Sequence, residues 1–147
     1  MRKTLMAGVA LGAFAFYVAP ASAQLLFAPG EDDRFNWSDY ETLQQTDLSG
    51  QTLTVFGPWR GPDEDLVQSI LAYFREATGA TVNYSSSENY EQQIVIDTQA
   101  GSAPNVAILP QPGLIQNLAE NGFLTPLGEE TAAWVAQNYG AGESWVD

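Results

Sequence analysis

Between residues 51 and 139, short apolar segments alternate with longer segments whose apolar residues recur at helical spacing. The short segments predict strands at Leu53–Phe56, Ala80–Tyr84 and Asn105–Leu109. Strands that alternate with helices form a parallel sheet with right-handed crossovers and helices on both faces. We therefore predict an α/β fold with a parallel, doubly wound β-α-β-α-β sheet.

The helix after the first predicted strand has clear sequence signals at both ends. Pro62 and the acids Asp63–Asp65 suit a first turn, because proline needs no N–H there and carboxylates favour the positive end of the helix dipole. Gly79 suits a left-handed cap at the other end. An apolar stripe at helical spacing runs along this helix, formed by Leu66, Ile70, Phe74 and Ala77.

Three further helices follow from the same spacing rule. Tyr90–Ala100 contains a strand-like run at Ile94–Ile96, but its polar and apolar residues fit helical spacing better, and we predict a helix. Shorter helices are predicted at Leu114–Asn121 and Glu129–Tyr139.

Residues 24–50 predict an extended leader segment. The patch Ser38–Gln45 has only a weak helical pattern. Phe35, Trp37 and Tyr40 are large aromatic residues in an otherwise polar segment, and we expect them to pin it onto the body of the protein.

Residues 1–23 have the order of parts found in a secretory signal peptide. Arg2 and Lys3 are followed by the apolar run Leu5–Val18 and by the small-x-small sequence Ala21-Ser22-Ala23. The apolar run is also close to the length that spans a bilayer, so an uncleaved anchor is the alternative. We predict export with cleavage after Ala23.

Charge and composition exclude several classes of function. Removal of residues 1–23 leaves three Arg against 18 acids, a formal charge of −15. Such a chain repels phosphate backbones, so we predict no nucleic-acid partner. The absence of Cys and His excludes disulfides, Cys nucleophiles, His-based triads and His-containing zinc sites. No cofactor and no metal site are expected.

The turn Gly57–Pro62 lies where a phosphate loop would lie, but its chemistry is wrong. Two prolines remove N–H donors, the Lys-Ser/Thr ending is missing, and acids occupy the following helix turn. Trp59 instead suits stacking against the apolar face of a sugar ring. The polar residues expected beside it at the carboxyl edge of the sheet are Arg60, Tyr84, Ser85, Ser86, Ser87, Glu88 and Gln111. The alternative is that Trp59 packs on the neighbouring helix and the serines cap helices.

Two other functions remain compatible with these residues. A glycoside hydrolase requires two carboxylates and no His or Cys, and Glu88 with Asp63–Asp65 are candidates by position. Acids at helix starts are more often partners of the helix dipole than catalysts. A non-catalytic envelope protein would bind no sugar and hydrolyse no glycoside.

Several motifs make the chain resemble the family 1 extracellular solute-binding proteins of ABC sugar importers. The first helix ends in F-x-x-A-T-G at Phe74–Gly79, and a P-N pair at Pro104-Asn105 precedes the third strand. The turn FGPWRG at Phe56–Gly61 resembles the alpha-glucoside-binding branch more specifically. Similar segments are Leu53–Gly61, Leu71–Gly79, Tyr90–Ile94, Gly101–Ala107 and Gln116–Leu127, and the likeness extends from Pro29 to Asp147.

The resemblance implies a non-enzymatic, monomeric periplasmic receptor that closes two lobes around a sugar and docks on an inner-membrane ABC permease. Residues 51–147 then correspond to the N-terminal part of lobe 1 of a periplasmic-binding-protein type II-like fold, incomplete because the chain stops before the hinge and lobe 2. On this interpretation the chain is a fragment, and we expect it to have little or no sugar affinity by itself.

Overall fold

The computed structural model describes residues 25–139; the predicted signal peptide lies outside the described residues. The elements, in chain order, are α1 (Trp37–Leu43), β1 (Thr52–Gly57), α2 (Pro62–Thr78), β2 (Thr81–Ser86), α3 (Tyr90–Gln99), β3 (Val106–Ala107), α4 (Pro112–Glu120) and α5 (Glu129–Tyr139). Within the described range no helix combines the length and apolar character needed to cross a membrane.

The three strands form one parallel sheet in the order β2-β1-β3. β1 pairs with β2 along its whole length, from Thr52 opposite Thr81 to Gly57 opposite Ser86. It pairs with β3 at Val55 and Phe56, opposite Val106 and Ala107. The predicted α/β fold with a parallel open sheet is confirmed.

The core lies mainly on one face of the sheet. Phe56 of β1 packs there against Tyr90 and Ile94 of α3 and Leu118 of α4. Successive side chains of a strand point to opposite faces, so Val55, also buried, faces the other side. On that side the Ser86 hydroxyl donates to the Glu64 carboxylate of α2 at 3.3 Å. Helices therefore cover both faces, as the sequence predicts.

Helix α2 begins and ends as predicted, but its apolar stripe does not face inward along its whole length. Gly79 has φ 72° and its N–H donates to the Arg75 carbonyl, which forms the left-handed cap. Leu66 and Ile70, however, are 58% and 68% exposed, whereas Ala72 is buried. The buried residues of the helix are the small ones, Ser69, Ala72 and Thr78, whereas Phe74 of the predicted stripe is half-buried.

Strand β3 is shorter than the predicted Asn105–Leu109. At its start the Asn105 side chain accepts from the Thr54 N–H at 2.9 Å, and the Asn105 N–H donates to the Thr54 hydroxyl at 2.9 Å. At its end the Ile108 N–H donates to the Phe56 carbonyl. Side-chain hydrogen bonds thus replace the backbone ladder at the start of the strand and leave two ladder residues.

The segment before β1 is not wholly extended, which corrects the prediction for this part of the leader. It contains α1, whose N-cap Asn36 accepts from the Asp39 N–H. Phe35, Trp37 and Tyr40 pack around Tyr73 of α2, with ring centroids 6.0 to 6.2 Å from the Tyr73 ring. The expected contact of these aromatic residues with the body is therefore present. This tertiary packing, rather than helix propensity, accounts for a helix that the sequence pattern indicated only weakly.

Candidate functional site

The carboxyl ends of the three strands meet at one edge of the sheet. The turn Gly57–Gly61 follows β1, Ser87–Asn89 follows β2, and Ile108–Gln111 follows β3. The chain moves from β1 to β2 on one side and then returns to place β3 on the other side of β1. In open α/β sheets this change of direction opens a crevice where ligands bind.

A groove of about 470 Å³ lies at this edge. Its volume falls within the range of about 300–1,000 Å³ typical of small-molecule sites. Its lining is rich in side chains that form hydrogen bonds and consists of Pro58, Arg60, Ser87, Glu88, Asn89, Tyr90, Glu91, Gln92 and Pro110. The groove therefore offers donors and acceptors suited to a polar ligand.

An ion pair joins two of the turns at the groove. The Arg60 guanidinium after β1 lies 2.5 Å from the Glu88 carboxylate after β2, with the two side chains 50% and 76% exposed. The hydrogen bond from Arg60, together with its charge, holds the pKa of Glu88 below its ordinary value. A glycosidase general acid needs the opposite shift, so the direction of this one does not fit Glu88 as that acid.

The first turn of α3 forms another wall of the groove. Tyr90, Glu91 and Gln92 line it, and first-turn N–H groups have no partner within their own helix. The Tyr90 ring packs on Phe56 at a centroid distance of 4.7 Å, and its hydroxyl donates to the Ile108 carbonyl. Tyr90 thereby fixes the start of α3 to the segment that follows β3.

The buried position of Tyr90 predicts unusual behaviour in alkali. Burial, with smaller effects from Tyr84 and Glu91, raises the pKa of Tyr90 from 10.0 to about 12. The unfolded chain ionises first as pH rises above 10, so the contribution of Tyr90 to stability is complete below that pH and is lost between about 10 and 12. Tyrosinate absorbance should show a late phase that Tyr90→Phe removes. A native chain, judged by near-ultraviolet circular dichroism, whose tyrosines all ionise before this phase would contradict the assignment.

The residues predicted for the site occupy three different positions. Arg60, Ser87 and Glu88 line the groove. Trp59 lies in the same turn as Arg60 and is 39% exposed, but it is not part of the lining. Ser85 is exposed on β2, Ser86 is bonded to Glu64, and Gln111 is the exposed N-cap residue of α4.

Sequence reasoning missed the contribution of the first turn of α3. Asn89 is the N-cap of this helix and makes no side-chain capping bond, so its amide is available to the groove. The sequence pointed the other way, because Asn directly before a predicted helix is a typical N-cap whose side chain bonds the helix backbone. Among residues 25–139, no cluster of three or more His, Cys, Asp or Glu side chains has the arrangement of a metal site.

Comparison with known families bears on what such a groove binds. The model of the family "Bacterial extracellular solute-binding protein" matches residues 57–147, more than half of the chain. The chain belongs to this family. The matched region begins at Gly57 and includes both turns joined by the Arg60–Glu88 pair.

Two curated relatives are similar to this chain. The "Alpha-glucosides-binding periplasmic protein AglE" of Rhizobium meliloti (strain 1021) is 61% identical over the whole chain, which spans 33% of AglE. The "Osmoprotective compounds-binding protein GgtB" of Synechocystis sp. (strain ATCC 27184 / PCC 6803 / Kazusa) is 36% identical over 56% of the chain and 20% of GgtB. The chain thus spans a third or less of these relatives. No solved structure matches it at a significant level.

Proposed function

We propose that this chain forms one wall of an alpha-glucoside-binding cleft in the periplasmic component of an ABC sugar importer. The observation that carries the proposal is the polar groove at the carboxyl edge of the sheet, in a chain 61% identical to a protein named for binding alpha-glucosides. The groove residues Arg60 and Glu88 present charged groups that bind hydroxyls by charge-assisted hydrogen bonds.

Trp59 supplies the apolar part of the proposed contact. Its half-exposed indole stands next to Arg60 at the rim, where one face of a sugar ring would stack on it. Ser87 contacts hydroxyls from the groove lining, while Ser85, Ser86 and Gln111 would act from its margins. The proposed partners are the sugar and an inner-membrane permease, and the proposed site of action is the periplasm after cleavage behind Ala23.

The proposal is tested by a chimera in which this chain replaces the matching third of AglE. We expect the chimera to bind alpha-glucosides such as maltose or trehalose in a calorimetric titration. Trp59→Ala should weaken binding by about tenfold to a hundredfold, because aromatic anchors contribute most to recognition. Loss of all binding in a correctly folded chimera would contradict the proposal.

The matched control for Trp59 is Trp134 on α5. Its side chain is similarly exposed, at 43%, but its indole N–H donates to Asp39 of α1, away from the groove. Trp134→Ala should leave sugar affinity unchanged within about twofold, whereas an equal loss in both variants would show a general effect of removing an exposed tryptophan. The 147-residue chain itself should bind only weakly, since the proposal assigns it one wall of the cleft.

A further inference from the structure

A tyrosine side chain of the sheet holds the backbone of the turn that carries Trp59. The Tyr84 hydroxyl accepts a hydrogen bond from the Trp59 N–H at 3.2 Å and donates one to the Trp59 carbonyl at 3.0 Å. One side chain from β2 therefore satisfies both backbone polar groups of the residue at the tip of the turn. Backbone groups of loops pair with other backbone, with side chains or with water, and here this pair of hydrogen bonds to one side chain fixes the turn to the sheet.

The glycines of the turn fit this arrangement. The Tyr84 ring lies so close to Gly57 that a Cβ added there would be 2.6 Å from the Tyr84 hydroxyl oxygen. Gly61 has φ 59°, a left-handed conformation that lets the chain turn directly into α2. Glycine at both ends thus allows the backbone to pass close to Tyr84 and then to reverse.

The second connection of this turn is of a different kind. Arg60 is joined to Glu88 by an exposed ion pair, which solvent and salt weaken and which a ligand's hydroxyl groups can replace. The Tyr84 hydrogen bonds are neutral and point at backbone, so a ligand in the groove leaves them intact. The turn therefore has one fixed connection, through Tyr84, and one exchangeable connection, through Glu88.

We propose that Tyr84 is a positioning residue that holds the Gly57–Gly61 turn in the conformation that presents Trp59 and Arg60 to the sugar. It acts through the turn rather than through the ligand, since both hydrogen bonds of its hydroxyl go to the Trp59 backbone. It acts by removing conformational freedom that sugar binding would otherwise have to restrict, which is the usual benefit of preorganisation. This inference rests on the proposed function.

The test compares two tyrosines that make the same pair of bonds in different places. The Tyr73 hydroxyl accepts from the Phe27 N–H at 2.9 Å and donates to the Phe27 carbonyl at 3.0 Å. Tyr84→Phe and Tyr73→Phe each remove one hydroxyl and two backbone bonds while keeping the ring. If both tyrosines only stabilise the fold, the two changes should have similar effects on Trp59 exchange and on sugar affinity. If Tyr84 positions the turn, only Tyr84→Phe should change the mobility of Trp59 and the sugar affinity.

The first measurements use the full chain without ligand. In Tyr84→Phe we expect the Trp59 amide proton to exchange with solvent about five- to tenfold faster, the size of effect that the loss of one or two hydrogen bonds produces. Acrylamide should also quench the Trp59 fluorescence, identified by difference from Trp59→Phe, more efficiently. Unchanged Trp59 exchange and quenching in Tyr84→Phe, or equal changes in Tyr73→Phe, would overturn the proposal.

The second measurement is a calorimetric titration with maltose of the AglE chimera and of the same chimera carrying Tyr84→Phe or Tyr73→Phe. We expect the apparent affinity to fall about fivefold in Tyr84→Phe and to stay unchanged in Tyr73→Phe. Equal affinities in all three chimeras, despite a loosened turn, would overturn the positioning role but not the proposed function. If neither this chain nor the AglE chimera responds to any alpha-glucoside, the proposed function fails and the inference fails with it.

Discussion

Replacing Ile94 by alanine is expected to lower the free energy of unfolding by about 2–5 kcal/mol. Ile94 is 1% exposed, lies on α3, and packs against Phe56, Tyr90 and Leu118 in the main core cluster. The loss of its side chain removes apolar burial and leaves a cavity that the surrounding groups fill only partly. For a domain of this size the loss is a large fraction of a total stability of about 5–15 kcal/mol.

The chain contains a matched control two residues away. Ile96 lies on the same helix but is 57% exposed, so Ile96→Ala should cost less than about 0.5 kcal/mol. Urea unfolding followed by far-ultraviolet circular dichroism gives both values. If Ile94→Ala does not fold, Ile94→Val should still show a loss of about 0.5–1.5 kcal/mol. Equal costs at positions 94 and 96 would contradict the described orientation of α3.

Replacing Gly57 by alanine is expected to lower the free energy of unfolding by about 1–3 kcal/mol, although alanine suits a strand better than glycine. The new Cβ would lie 2.6 Å from the Tyr84 hydroxyl oxygen and 2.9 Å from a carbon of its ring. Those distances are too short for real contacts, so Tyr84 must move and give up its bonds to Trp59. The variant should also expose Trp59 to quenching as Tyr84→Phe does.

Replacing Gly113 by alanine is the matched control, and it is expected to change stability in the opposite direction. It lies in α4 with no atom within 4 Å of an added Cβ, and its φ is not positive. Gly113→Ala should therefore raise stability by about 0.4–1 kcal/mol, because the unfolded chain loses conformational freedom.

A double variant tests whether Tyr84 causes the cost of Gly57→Ala. In a Tyr84→Ala background that cost should largely disappear. A cost that persists there would show that Tyr84 is not the cause.

The sequence predicted correctly the helix ends that are set by residues next to them in the chain. Pro62 and the following acids start α2, and Gly79 ends it, because these residues act on the backbone beside them. Helix α1 depends instead on Tyr73, more than thirty residues away, and its sequence pattern was correspondingly weak. The short ladder of β3 likewise depends on the side-chain bonds between Asn105 and Thr54, which no periodicity predicts.

The sequence predicted at which edge of the sheet the candidate site lies, but not which side chains line it. A parallel sheet puts the ends of its strands at one edge, so the turns carrying Arg60 and Glu88 had to be neighbours. Which side chains line the groove depends on rotamers and on packing between elements. That is why the first turn of α3 was missed, and why Tyr84 was taken for a ligand-side residue of the edge rather than a support for the turn.

The two connections of the Gly57–Gly61 turn, through Tyr84 and through Glu88, also affect how the rim of the groove responds to a protease. Residues 25–139 contain no lysine and three arginines, at positions 34, 60 and 75. Arg75 lies within α2, bonded to Gln68, while Arg34 lies in the segment before α1. Trypsin cleavage between Arg60 and Gly61 requires that guanidinium to leave Glu88 and enter the protease. The Arg34 side chain is 77% exposed and offers a second cut, so the fragments that end at Arg60, separated by size from those that end at Arg34, report how often the turn opens.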